Sequence, residues 1–312
     1  MLLLSCSSKL RLLEGTLRRH LPEMLPVHGV MMNINCGKPA GQEVLVDTWP
    51  EFKAILTRPH REVRWHGTTD FYTNMYTAFY RDLDAYWALL GSAVNWGQAF
   101  HIHSNMGPTA LGRLPQQLSI YVLSGPNPWI PPYIPSPDAL SSPLRLRSCS
   151  HELSEGKVPM GQLDPAVRLS TLDVSHAVLV NETWAFGGNE NSRRYLANLI
   201  RRFPNVCLLD AAERPVSWTI TDPFGTTKHS YTLPQHQRCG YMQVLMNVMA
   251  KQMQAWGYPS FCHVATDNYP MQRLQERQGF PRQPNLCHFI LHNAALHRIP
   301  TLTPSPAPGT AP

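Results

Sequence analysis

The sequence predicts a mixed α/β (α+β) fold in two domains, and three observations carry that prediction. The chain has 312 residues, 43% of them hydrophobic, enough to bury a core larger than one ordinary domain needs. Its first third alternates strand-like with helix-like stretches. Its second half reads in order as two helices, three meandering strands, a helix, a strand, a helix and a strand.

In "MLLLSCSSKLRLLEGTLRRHLPEML", Leu10, Leu13, Leu17 and Leu21 recur at helical spacing, which predicts a first helix, although the basic, serine-containing character also mimics a transit peptide. "VHGVMMNI" reads as a strand, "EVLVDTWPEFKAILTRP" as two strands around a Trp-Pro turn, and "DLDAYWALLGSA" as a helix. Seven prolines between Pro126 and Pro143 forbid a long helix or central strand there. Residues 1–125 are therefore read as an N-terminal domain, 126–166 as a proline-rich linker, 167–293 as a C-terminal domain and 294–312 as a disordered tail.

In the second half "VRLSTL" is a short strand, and Asp173 caps a helix that "GGN" breaks. "ENSRRYLANLIRRF" follows as an amphipathic helix with Tyr195, Leu199, Ile200 and Phe203 on one face. "VCLLD" and "VSWTITD" form a hairpin, "KHSYTLP" the next strand, "FCHVATDN" another, "YPMQRLQERQG" a helix and "LCHFILHN" the last strand.

Composition excludes several classes. The balance of 27 Lys plus Arg against 21 Asp plus Glu, +6, suits a polyanionic ligand but is too small to argue for nucleic acid. The alkaline pI suits the mitochondrial matrix, with the cytoplasm as the alternative. Seven scattered cysteines, with no CxxC and no paired histidine spacing, argue against a disulfide framework or a zinc site, so no metal is expected. No apolar run is long enough to span a bilayer. Nothing in the sequence reports oligomeric state.

"HQRCGYMQVLMNVMAKQM" poses the functional question. Gly240 punctuates a basic turn, and Tyr241, Leu245, Val248, Met249 and Met253 then recur as the buried face of a helix. A helix N-terminus offers unpaired N–H groups and the positive end of its dipole, which suits a pyrophosphate; an ordinary strand-to-helix turn has the same spacing. The preceding antiparallel meander excludes a dinucleotide fingerprint, and "NYPMQRLQERQGF" downstream begins with Asn268 and closes a helix with Gly279-Phe280.

Together Gln237, Gly240, Asn268, Gly279 and Phe280 resemble the GCN5-related N-acetyltransferase fold, with Met242 in place of the expected small residue. "VSHAVLVNETWAFGGNENSRRYLANLIRRFP", "PVSW", "YTLPQHQRCGY", "NINCGKP", "VDTWPEFKAI", "YTNMYTAFYRD" and "VNWGQAFHI" resemble the glycine N-acyltransferase family. That resemblance implies a degenerate acyltransferase-like N-terminal domain packed against a C-terminal domain that binds acyl-CoA as co-substrate, with no tightly bound cofactor. It implies transfer of an acyl group to the amine of glycine or another amino acid such as glutamine. The implied ligand contacts are Tyr231, Leu233, Gln237, Arg238, Cys239, Gly240, Tyr241, Met242 and Asn268, those on the strand acting through backbone N–H groups.

The resemblance also exposes a gap. The glutamate proposed as base in glycine-conjugating members aligns with Thr226, and the tyrosine used as general acid elsewhere in the fold aligns with Gln275. Threonine cannot take a proton at neutral pH without a group behind it. His229, on the strand expected to line the thioester, is the first candidate to replace the base, with Asp222, His236 and His263 behind it. The rival expectations are an acyl-CoA-binding protein without catalysis and, behind it, a basic interaction module.

Overall fold

The computed structural model describes residues 1–37, 41–60, 71–104, 118–122, 166–283 and 287–292. The first half contains β1 (Leu2–Leu3), α1 (Ser7–Arg18), α2 (Leu25–Asn35), β2 (Gln42–Val46), β3 (Ala54–Pro59), β4 (Met75–Tyr80), α3 (Leu83–Ala93), β5 (Phe100–Ser104) and β6 (Leu118–Val122). The second contains β7 (Arg168–Ser170), α4 (Ala177–Thr183), α5 (Glu190–Arg202), β8 (Asn205–Leu209), β9 (Pro215–Thr221), β10 (Thr226–Thr232), α6 (Tyr241–Ala255), β11 (Phe261–Ala265), α7 (Tyr269–Arg277), β12 (Arg282–Gln283) and β13 (His288–His292).

Most predicted elements form for the reasons given. Leu10, Leu13 and Leu17 of α1 are buried, each burial favouring folding by about 1.5–3 kcal/mol, so this helix is part of the core. Asp173 caps a short turn leading into α4, and Asn189 caps α5 reciprocally with Ser192. On α5, Leu199, Ile200 and Phe203 are buried, with Tyr195 packed against them.

One element differs. "VHGVMMNI" is not a strand but lies within α2, where every residue from Leu25 to Asn33 is buried. A helix sandwiched on all sides has no polar stripe, and an apolar run without a stripe does not distinguish helix from strand. Pro26 at the first turn favours the helix. Gly29 lets it approach the turn after β9, where a β-carbon would stand 1.8 Å from the Phe224 carbonyl oxygen.

The strands form two sheets, ordered β1-β2-β3-β4-β5-β13 and β12-β6-β11-β10-β9-β8-β7. All pairs are antiparallel except β4 with β5 and β10 with β11. Each sheet borrows from the other half of the sequence. β13 pairs with β5, setting Phe289 opposite His103, and β6 pairs with β11, setting Tyr121 opposite Cys262. The boundary read at residues 126–166 therefore divides the sequence but not the sheets. The borrowing satisfies β11, which meets β10 at only two residue pairs and would otherwise be an open edge. The proline-rich stretch up to residue 165 and the tail at 294–312 lie outside the described residues.

Candidate active site

The site begins at the turn between β9 and β10. Asp222 follows β9, and its fully buried carboxylate accepts the Phe224 and Thr226 N–H groups at 2.9 and 3.0 Å through Oδ1. Its Oδ2 lies 2.7 Å from Lys228 Nζ. A buried carboxylate held this way anchors the turn, and removing its partner would leave an uncompensated charge. Thr226 is also buried, and among the described residues its hydroxyl has no hydrogen-bond partner and so no group behind it to activate it.

β10 then breaks its register with β9 between Lys228 and Tyr231, and His229 in this bulge takes a left-handed φ of 51°. Such a conformation is costly for a non-glycine residue and re-aims a side chain. The His229 ring stands edge-on to Trp184 at 4.8 Å and to Tyr195 at 6.0 Å, with Tyr72 5.0 Å from Trp184 and 5.2 Å from Tyr195. Its Nε2 is buried without a partner among the described residues. Burial first, then the Lys228 charge, pushes its pKa down to about 3, so the ring is neutral at physiological pH. The Tyr195 hydroxyl is pushed well above its ordinary pKa by burial and by Asp222, so it too is neutral.

Beside the bulge a slot opens. β10 and β11 pair in parallel only at Thr226 with Phe261 and Thr227 with Cys262, and beyond these pairs the two strands diverge. The backbone edge of β10 facing β11 thus has no strand partner beyond Thr227 among the described residues. At the far end of β10, Gln237 Nε2 donates to the Thr232 carbonyl at 3.2 Å. Arg238 and Gly240 take left-handed φ values of 66° and 77°. Residues 237–240 are exposed, and α6 starts at Tyr241, where the first-turn N–H groups of a helix lack an intrahelical partner. A turn with two left-handed residues at a helix N-terminus is a backbone arrangement that suits an anion.

The structure distributes the sequence candidates along this slot. His229 and Asp222 lie at its closed end, while Gln237, Arg238, Cys239 and Gly240 form the turn that leads into α6, which Tyr241 and Met242 open. Tyr231 lies tilted against Trp218 at 5.5 Å and Leu233 packs with the α4–α5 core, so what they offer a ligand is main chain. Asn268 is exposed and caps α7, accepting the Met271 N–H at 3.3 Å. Cys239 Sγ lies 3.6 Å from the Gln237 carbonyl oxygen and is exposed. Gln275 is fully buried with neither amide atom hydrogen-bonded, an orphan group in the place of the fold's acid.

Sequence reasoning missed four contributors: Lys228 as the partner of Asp222, and Tyr72, Trp184 and Tyr195 as the wall around His229. Tyr72 comes from the other half of the chain. A cavity of about 310 Å³ between α5 and the rim of the first sheet is lined by Tyr72, Tyr195, Arg202 and Pro223, so it reaches the same aromatic wall away from the slot.

Comparison with known proteins places this geometry in a family. The pattern of the aralkyl acyl-CoA:amino acid N-acyltransferases matches residues 1–204, and that of their C-terminal region matches 206–288. This chain belongs to that family. Among its N-acyltransferase relatives, rat glycine N-acyltransferase is 34% identical over 85% of this chain and 90% of its own. The mouse glycine N-acyltransferase-like protein Keg1 is 31% identical, covering 88% and 93%. Bovine glycine N-phenylacetyltransferase is 31% identical, covering 85% and 90%. A crystal structure of a Drosophila protein shares the fold at a TM-score of 0.67 with 15% identity, covering 94% of this chain and 97% of its own. The two-sheet, mixed α/β architecture described above is thus the fold that this N-acyltransferase shares with that structure.

Proposed function

We propose that this protein transfers an acyl group from acyl-CoA to the amine of glycine, giving an N-acylglycine and free coenzyme A. The observation that carries the reading is the slot between β10 and β11, with a phosphate-binding turn at its mouth and a partnerless imidazole at its closed end, in a member of an acyl-CoA:amino acid N-acyltransferase family. The turn at Gln237–Met242 holds the pyrophosphate, and the unpaired edge of β10 aligns the thioester and polarises its carbonyl. The amine attacks that carbonyl: a C–N bond forms, the C–S bond breaks, and the amine proton leaves toward His229 Nε2 while the thiolate departs to be protonated.

A neutral imidazole with a depressed pKa is a poor base on its own. The acceptor brings its own correction, because a carboxylate beside His229 adds negative charge that raises its proton affinity. An amino acid is therefore a better acceptor than a plain amine. The alkaline pI of about 9.0 supports placing the activity in the mitochondrial matrix.

The test is a thiol-release screen of the purified protein, crossing acyl chain length with glycine, glutamine and a simple alkylamine. Glycine-dependent release of coenzyme A is expected. Acyl-CoA binding with no thiol release from any acceptor would sink the enzymatic reading and leave a binding protein.

A further inference from the structure

Where the two sheets meet lies a second cluster that the acyl-transfer reading does not use. His103 on β5 is fully buried, His263 is the first residue of β11 beyond its pairs with β10, and Cys287 stands at the start of the strand that crosses into the first sheet. One ligand atom from each lies within 4.8 Å of the others. We propose that His103, His263 and Cys287 bind a transition-metal ion of the zinc class.

Three observations support it. All four ring nitrogens of His103 and His263 lack a hydrogen-bond partner among the described residues, although both rings are packed against Phe289 at 4.0 and 4.8 Å. Burying imidazole nitrogens unpaired is costly, and two adjacent rings leaving all four unpaired calls for a ligand. Both rings are held neutral by burial, the protonation state in which imidazole ligates. The donor set of two imidazoles and a thiol selects zinc or a similarly soft ion and rejects magnesium and calcium.

The geometry needs little adjustment. Tetrahedral zinc with bonds of about 2.0–2.3 Å sets its ligand atoms roughly 3.4–3.6 Å apart, so closure moves them by about 1 Å. Burial holds the Cys287 thiol up at about 12, while the Ser104 N–H and the Lys228 charge act to lower it. Metal binding displaces that proton to solvent and forms the metal–sulfur bond. Lys228 does not oppose the cation as a bare charge, because it is paired with Asp222. Three protein ligands leave one coordination position for water. The ion would join β5, β11 and the lead into β13, the three strands at which the halves of the chain interlock.

The experiment is titration of the metal-free full-length protein with Co²⁺, read by visible d–d bands and the near-ultraviolet thiolate-to-cobalt band, with Zn²⁺ as competitor. One Co²⁺ per chain, displaced by Zn²⁺, is expected. Cys287→Ser should abolish the thiolate band, and His263→Gln should weaken Co²⁺ binding at least about tenfold. Circular dichroism and acyl-CoA affinity report whether each variant is folded. No Co²⁺ uptake by the folded protein, or a thiolate band that survives Cys287→Ser, overturns the proposal. Neither readout depends on acyl transfer.

Discussion

The α-carbon of Gly29 rests against the carbonyl of Phe224, and a β-carbon there would stand 1.8 Å from that oxygen and 2.4 Å from its carbon. The contact joins a helix of the first half to the turn that holds Asp222. It is reinforced by Asn33, whose Nδ2 donates to the Pro223 carbonyl at 2.7 Å and whose Oδ1 accepts the Tyr258 hydroxyl at 2.9 Å. Gly29→Ala should cost about 3 kcal/mol, because both colliding atoms are backbone and cannot rotate away. Gly15→Ala, in an open position on α1, should instead stabilise by about 0.5–1 kcal/mol. Denaturant midpoints of the two variants decide this, and equal effects would refute the contact.

Arg238 combines a positive charge with a left-handed backbone. Arg238→Gly removes the cation and relieves the conformation at the same time. Acyl-CoA affinity should fall about 10- to 100-fold, the value of a charge-assisted hydrogen bond, while thermal stability holds or rises. Calorimetric titration measures the first and a melting curve the second; unchanged affinity would remove Arg238 from the phosphate site.

His229→Ala should lower turnover about 100-fold or more and leave acyl-CoA affinity nearly unchanged, since the ring lies at the closed end of the slot, away from the turn. Single-turnover rates and equilibrium binding separate the two effects. Normal turnover would return the proton-transfer role to another group.

His28 is buried on α2 with neither ring nitrogen hydrogen-bonded. Burial first, and the Arg18 charge second, lower its pKa from 6.5 to about 4. The unfolded chain therefore binds a proton below pH 6.5 that the folded chain refuses, so this stability is present above pH 6.5 and is lost as pH falls toward 4. At pH 5 the loss is roughly 2 kcal/mol. His28→Leu should flatten the acid limb of the stability profile by about that amount; an unchanged profile would show that His28 is not its source.

The second half was legible because its signals are local. Asp173 and Asn189 cap helices by hydrogen bonds spanning two or three residues, and the α5 face repeats at helical period. The turn at Gly240 was legible for the same reason. The site around His229 was not, since Tyr72 and Trp184 reach it from elements far apart in sequence. Nor was the cluster of His103, His263 and Cys287, whose residues share no spacing and meet only because strands cross between sheets. α2 misled because its surroundings, and not its own periodicity, decide its conformation.

The crossing strands also constrain how the protein can be made. Residues 288–292 complete the first sheet beside β5, yet they are synthesised after every other described strand and helix. A nascent chain carrying the whole first half still lacks that sheet's edge strand, and the second sheet in turn reserves a place for β6. Pairing across such sequence separations is slow and must await synthesis. The last strand of the second sheet, β12, ends at residue 283, so the first sheet is the later of the two to finish, and a ribosome that stalls before residue 288 releases a chain whose β5 edge is exposed for aggregation.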